Sequence, residues 1–184
     1  MSQKWNMDTP WERKSDYILR CIEETFAPSN GGNPMVTLKF EVAAPEEVEI
    51  NGEMRVVAGV PITSYNVTKS MKGYTDNQGN VVTPEMQTAK KQAQYIKLLN
   101  AFEIPSDNIN WDSPPLGFKG KCVYAMLEND ATEQRGSPTK ADLAKGIKVG
   151  PILMNPKTKQ PLVKNYPKIV EIYGIAEVAN TGAL

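Results

Sequence analysis

Apolar and polar side chains alternate most regularly in residues 35–42. Every second side chain there is apolar: Val36, Leu38, Phe40, Val42. A period of two predicts a strand with one buried face. Residues 17–26, rich in β-branched and aromatic side chains, predict the preceding strand. The turn-forming residues 28–34 lie between them, so we expect an antiparallel hairpin.

Two further hairpins and the last two strands follow the same reasoning. Residues 47–50 and 54–65 flank an Asn51-Gly52 turn and predict a second hairpin, whose returning strand is interrupted at Gly59 and Pro61. Residues 120–127 and 167–175 predict the last two strands. Between them, residues 147–154 and 160–163 flank a lysine-containing turn, which indicates an additional hairpin.

One long helix is expected, over residues 84–102. Thr83 is a suitable N-cap, and Pro84 suits the first helical position. The period of 3.6 places four apolar residues on one face: Ala89, Ala93, Ile96, Leu99. Three others widen that apolar stripe: Tyr95, Leu98, Phe102.

The order of these elements predicts a mainly β fold with one helix. Five strands with the helix between the third and fourth is the layout of an OB-fold, a five-stranded Greek-key barrel. We therefore expect an N-terminal extension (1–15), an OB-fold domain (16–176) with a basic hairpin insertion (129–165) before the last strand, and a flexible tail (177–184). Other α+β arrangements have the same element order.

Composition excludes several classes of function. The 184 residues contain no histidine and two cysteines, which leaves no Ser-His-Asp site, His-ligated zinc or four-cysteine zinc site. We expect no enzyme activity, no bound metal and no cofactor. Residues 1–16 lack the apolar core of a signal peptide and no long apolar run occurs, so we expect a cytoplasmic protein without a membrane partner.

The charges are separated along the chain although 21 basic and 21 acidic residues balance. Residues 1–65 carry 6 basic and 10 acidic side chains, and residues 66–184 carry 15 and 11. Residues 136–170 contain seven lysines and one aspartate. Such a segment is either a solvated surface or a binding surface for a polyanion.

Three segments resemble a known family. The segments are the turn and strand Ser29-Asn30-Gly31-Gly32-Asn33-Pro34-Met35 through Val42, the helix at 89–102, and Leu116-Gly117-Phe118-Lys119-Gly120-Lys121. In the same order, they resemble segments of phage-encoded OB-fold single-stranded DNA-binding proteins. The resemblance covers residues 16–128 and the last strand. It implies a protein that coats and protects single-stranded DNA during phage replication or recombination, with replication or recombination proteins, or further copies of itself, as partners. Two features depart from the family. The 129–165 insertion is unusually long, and the C-terminal tail lacks the acidic terminus with an aromatic end that many of these proteins have.

Binding of single strands requires basic residues for phosphates and aromatic rings for bases. The candidates are basic residues on outward strand positions or in loops, and aromatics beside them: Lys39, Arg55, Lys69, Lys72, Tyr74, Lys119, Lys121, Lys157, Lys159, Lys164, Tyr166, Lys168. Three more aromatics are weaker candidates: Tyr65, Trp111, Phe118. We expect the strand to cross the barrel between the 69–74 loop and the 148–168 lysine hairpin.

Three other functions fit parts of the sequence. A two-metal nuclease would need convergent carboxylates, and the glutamates near the Asn51-Gly52 turn are more typical of a solvated strand edge. A virion or adaptor protein could use the same barrel for protein contacts. An RNA-binding OB module would have the same stacking and basic residues.

Overall fold

The structure is a computed structural model that describes residues 1–177, so the predicted tail lies, apart from Glu177, outside the described residues. The chain is mainly β. In chain order the elements are β1 (Gln3–Lys4), β2 (Lys14–Pro28), β3 (Pro34–Ala44), β4 (Glu47–Ile50), β5 (Glu53–Val56), β6 (Pro61–Val67), β7 (Tyr74–Thr75), β8 (Val81–Val82), α1 (Pro84–Ala101), β9 (Cys122–Glu133), α2 (Lys140–Ala144) and β10 (Val163–Ile175).

Five of these strands form one antiparallel sheet in the order β10-β9-β2-β3-β6. The prediction of a mainly β fold with five such strands is confirmed. Helix α1 lies between β6 and β9 in the chain, as expected. Hydrogen bonds do not close the sheet, since β6 and β10 are its two edges.

Alternation decides which side chains of β2, β3 and β9 enter the core. The predicted apolar face of β3 is fully buried, with Val36, Leu38 and Phe40 at 0% exposure. Leu19 of β2 and Val123 of β9 are opposite each other in register and equally buried. One continuous apolar core therefore lies on a single face of the sheet.

Helix α1 begins as predicted, with the Thr83 hydroxyl accepting from the amide of Met86 at 3.2 Å. Its buried residues are Tyr95 and Leu99, and Phe102 caps its C-terminus inside an aromatic cluster. The prediction that Ala89 and Ala93 belong to the buried face is wrong, because both are exposed. Only the second half of α1 packs on the core.

The second predicted hairpin forms, but in a separate small sheet of order β1-β5-β4. Its turn residues Asn51 and Gly52 both have positive φ, the backbone that the Asn-Gly pair favours. The N-terminal segment is attached here, because β1 pairs in parallel with β5. Trp11, farther along that segment, is 4% exposed and belongs to the core.

The segment before the last strand is an excursion of residues 134–162. Strands β9 and β10 pair as far as Glu133 and Val163, so the ladder extends into the predicted 129–165 insertion. The excursion contains α2, a second and short helix, so the prediction of one helix is wrong in this respect. At its neck the backbone of Gly150 passes Gly136 so closely that a Cβ on Gly150 would clash with the Gly136 oxygen.

The two free edges of the main sheet approach each other, with Cα atoms of β6 and β10 within 8 Å. Adjoining clefts connect them. Pro61 shares a cleft with Tyr166, residues 62–65 share one with residues 167–169, and Asn66 shares one with residues 169–172. Strands β6 and β10 therefore run in the same direction on either side of a gap that no strand pairing bridges, and we call this gap the seam. Seven residues of β6 make it about 20 Å long.

Candidate nucleic-acid interface

Three predicted site residues lie together on one side of the seam. Lys164, Tyr166 and Lys168 alternate along β10, and the intervening Asn165 and Pro167 are buried. Strand geometry therefore directs the first three away from the core. Tyr166 is 39% exposed and lines the cleft at the start of the seam.

The opposite side of the seam carries Tyr65 and, one strand farther, Lys39. Tyr65 is 67% exposed and lines the same cleft as Lys168. It pairs in register with Thr37 of β3, two residues from Lys39. The Lys39 ammonium lies 2.9 Å from a Glu23 oxygen, so part of its charge is already compensated.

The excursion supplies further positive charge at the N-terminal end of β10. Lys157 and Lys159 are exposed in a turn that Asn155 closes, its side-chain oxygen accepting from the Lys157 amide at 2.9 Å. Among residues 1–177, no ion pair involves any lysine from Lys140 to Lys168. These charges remain available to an external anion.

Lys69, Lys72 and Tyr74 lie at the other end of the seam, in the segment after β6, and all three are exposed. The predicted Gly-Asn-Pro turn holds this segment. The Asn33 side-chain oxygen accepts from the Met71 amide at 2.9 Å, and the Pro34 carbonyl accepts from the Thr68 amide at 2.9 Å. The 69–74 loop and the excursion thus flank the seam at opposite ends.

The remaining predicted residues lie elsewhere. Arg55 is in the small sheet, half-buried, and its guanidinium contacts Gln3 and Glu53. Lys119 is exposed in the turn before β9. The Lys121 ammonium donates to the carbonyl of Phe102 at 2.9 Å, where it satisfies the C-terminal end of α1. The structure does not bring these three residues to the seam.

Two of the weaker aromatic candidates are unsuited to base stacking. Phe118 is fully buried in the cluster with Phe102 and Tyr95. Trp111 is partly buried and packs edge-on against Tyr95. Their polar neighbours in sequence indicated surface positions, but both rings belong to the loop between α1 and β9 and pack against Tyr95 of the helix.

Sequence reasoning missed two exposed tyrosines, Tyr124 of β9 and Tyr173 of β10. The signal for Tyr124 was present, because Val123 and Ala125 on either side are the buried positions of that strand. No such signal existed for Tyr173, which falls at an irregularity in the β9–β10 register.

The groups with shifted titration belong mainly to the core. Burial raises the pKa of the Tyr17 and Tyr95 phenols well above the ordinary value. Burial also raises the pKa of the Cys21 thiol to about 11, with the Glu24 charge adding to the effect. These shifts mark packed positions of the core, on β2 and α1, rather than groups at the seam.

Within residues 1–177, no three Cys, Asp or Glu side chains are grouped so that they could hold a metal ion. None of the helices in this part of the chain has the length and apolarity to cross a membrane.

Comparisons of the chain with protein-family models, with curated proteins and with solved structures found no match.

Proposed function

We propose that this chain is a non-catalytic single-stranded DNA-binding protein whose DNA lies along the seam. The observation that carries the proposal is the pairing of exposed aromatic rings with uncompensated lysines on its borders, Tyr65 on one side and Tyr166 with Lys164 and Lys168 on the other. Stacking platforms next to basic residues are the chemistry that binds single strands without sequence preference.

The strand connectivity supports an OB-type barrel as the scaffold. With β6 beside β10, the order of the five strands is that of a Greek-key barrel left open at one joint. OB-folds bind oligonucleotides on the face of their second and third strands, between the first hairpin loop and the loop before the last strand. Here those strands are β3 and β6, which carry Lys39 and Tyr65.

The position of the flanking loops supports a path for the DNA along the seam. The strand would run about 20 Å from the 69–74 loop to the excursion, a length set by the seven residues of β6. Lysines at both ends would contact phosphates, and Tyr74 would offer a further ring. The role would be to coat and protect single-stranded DNA during phage replication or recombination, as the family resemblance implies.

Fluorescence anisotropy of a labelled oligo(dT) at several salt concentrations tests this proposal. The double variant Lys164→Ala/Lys168→Ala removes two phosphate contacts, so the slope of log K against log salt should become shallower by about 1.4. The matched control is Lys90→Ala/Lys91→Ala, which removes two exposed lysines from α1. We expect the control to keep the wild-type slope.

Tyr65→Ala tests the stacking contribution separately. Loss of one stacked base should weaken binding by about 1–3 kcal/mol without changing the salt slope. Tyr124→Ala, on the exposed face of β9, is the matched control and should bind as wild type. Equal losses in both variants, or no retardation of oligo(dT) at low salt, would contradict the proposal. Tighter binding of oligo(U) than of oligo(dT) would assign the seam to RNA.

A further inference from the structure

Two exposed surfaces of opposite charge are not explained by the seam. The first is residues 137–149 of the excursion, which we call the lysine lobe. The second is residues 46–54, at the β4–β5 turn, which we call the acidic hairpin. The lobe carries three lysines and one aspartate, and the hairpin carries four glutamates and no basic residue.

The lysine lobe combines free charge with exposed apolar side chains. Leu143, Ile147 and Val149 are each about half exposed, although they are the largest apolar residues in the lobe. The only acid, Asp142, accepts a hydrogen bond from the Thr139 amide at 3.0 Å in the capping box of α2. Exposed apolar residues surrounded by one sign of charge are typical of a protein interaction surface.

The acidic hairpin has complementary properties. Val48 and Ile50 are buried and anchor it to the core, while Glu46, Glu49 and Glu53 are exposed. Of the four glutamates of the acidic hairpin, only Glu53 forms an ion pair with a residue among 1–177, and its partner is Arg55 of the same strand. Met54 adds one exposed apolar side chain.

We propose that the acidic hairpin of one copy binds the lysine lobe of the next. The opposite charges of the two surfaces, in a chain with no net charge to repel another copy, favour a second copy as the partner. No ion pair among residues 1–177 joins the two surfaces within one copy. The contact joins two different patches, so each pair of copies leaves one patch of each kind free, and further copies extend the pair into chains where the two copies do not close into a reciprocal dimer.

Sedimentation velocity of the purified protein without nucleic acid tests this contact. At about 20 mM salt the wild type should show a sedimentation coefficient that rises steadily with concentration, and about 0.3 M salt should abolish the rise by screening. The hairpin variant Glu46→Lys/Glu47→Lys/Glu49→Lys turns four negative charges into a net +2, and the lobe variant Lys145→Glu/Lys148→Glu turns a net +2 into −2. Each variant should weaken self-association at least about tenfold, since like charges then meet. The control Lys90→Glu/Lys91→Glu changes the net charge by the same amount as the lobe variant but lies on α1, and it should associate as wild type.

Mixing the two patch variants provides the decisive result. In the mixture, each surface again finds one of opposite charge, so alternating chains should form at concentrations where either variant alone is monomeric. Failure of the mixture to associate would overturn the proposal, as would a wild type that is monomeric at low salt or equal weakening by the α1 control. A monomeric wild type that binds vesicles of anionic lipid would instead assign the lobe to a membrane surface. No oligonucleotide is present, so the outcome is independent of the proposed DNA site.

Discussion

At the scale of single residues, the seven tyrosines divide by where their hydroxyl groups go. The hydroxyls of the buried pair, Tyr17 and Tyr95, donate to backbone carbonyls, 3.1 Å from Glu12 and 2.6 Å from Pro115. The five exposed tyrosines present their rings to solvent on strands and loops. Burial with a satisfied hydroxyl is a packing role, so the candidates for base stacking belong to the second group, and within it they are Tyr65 and Tyr166 at the seam and Tyr74 near its end.

Cys21 gives a titration test of the core at the same scale. The folded protein holds its thiol neutral up to about pH 11, whereas an exposed thiol ionises near its ordinary pKa of 9.0. Folding therefore gains stability from this group that is complete below pH 9 and is lost as the pH rises toward 11. The expected loss is about 2–3 kcal/mol over that interval.

The measurement is urea unfolding of wild type and Cys21→Ala between pH 8 and 11. Below pH 9 the variant is less stable by about 1–2 kcal/mol, because removal of the sulfur atom leaves a cavity. Its free energy of unfolding should nevertheless fall less steeply above pH 9 than that of wild type. Tyr17 and Tyr95 titrate in both proteins and cancel in the difference. Parallel curves would show that Cys21 is not buried as described.

At the scale of elements, the Gly-Asn-Pro turn between β2 and β3 links the sheet to the candidate site. Asn33 and Pro34 bind the segment after β6 through two backbone amides, those of Met71 and Thr68. From the other side, the hydroxyl of Thr88 on α1 accepts from the amide of Ser70 at 2.9 Å. The 69–74 loop is therefore held between the first hairpin and the helix.

Replacement of Asn33 by alanine tests that link. The Met71 amide loses its acceptor, so amide exchange in residues 69–74 should accelerate, with a loss of global stability near 1 kcal/mol. Asn30→Ala, in the same turn, makes none of these contacts and is the control. Hydrogen exchange read by mass spectrometry distinguishes the two. Unchanged exchange in Asn33→Ala would mean that α1 alone positions the loop.

The sequence predicted best those elements whose local pattern of residues is enough to define them. The alternation of β3 and the Thr83-Pro84 start of α1 are local signals, and the structure confirms both. The buried face of α1 was predicted less well, because small Ala89 and Ala93 fit a helix period whether or not a sheet lies beneath them. The two-residue strand β1 has no period at all, and only its pairing with distant β5 defines it.

At the scale of the whole molecule, the candidate site depends on contacts that no local pattern encodes. Tyr65 and Lys168 border one cleft although 103 positions separate them in the chain. The two residues are neighbours because the edge strands β6 and β10, which lie at opposite ends of the strand order, approach each other across the seam. Sequence could nominate Lys164, Tyr166 and Lys168 as basic and aromatic residues of one strand, but it could not place Tyr65 across from them.

The open seam predicts a distinctive pattern of hydrogen exchange. Amides of β6 and β10 lack partners on the side of the seam, so these edge strands should exchange faster in the free protein than central β2 and β9. Bound oligo(dT) lies against those edges under the proposed function and should slow exchange in 61–67 and 163–170. The acidic hairpin is the internal control, because its glutamates repel phosphate and its exchange should not change. Protection confined to β2 and β9 would place the DNA on the central strands of the sheet and leave the seam without a ligand.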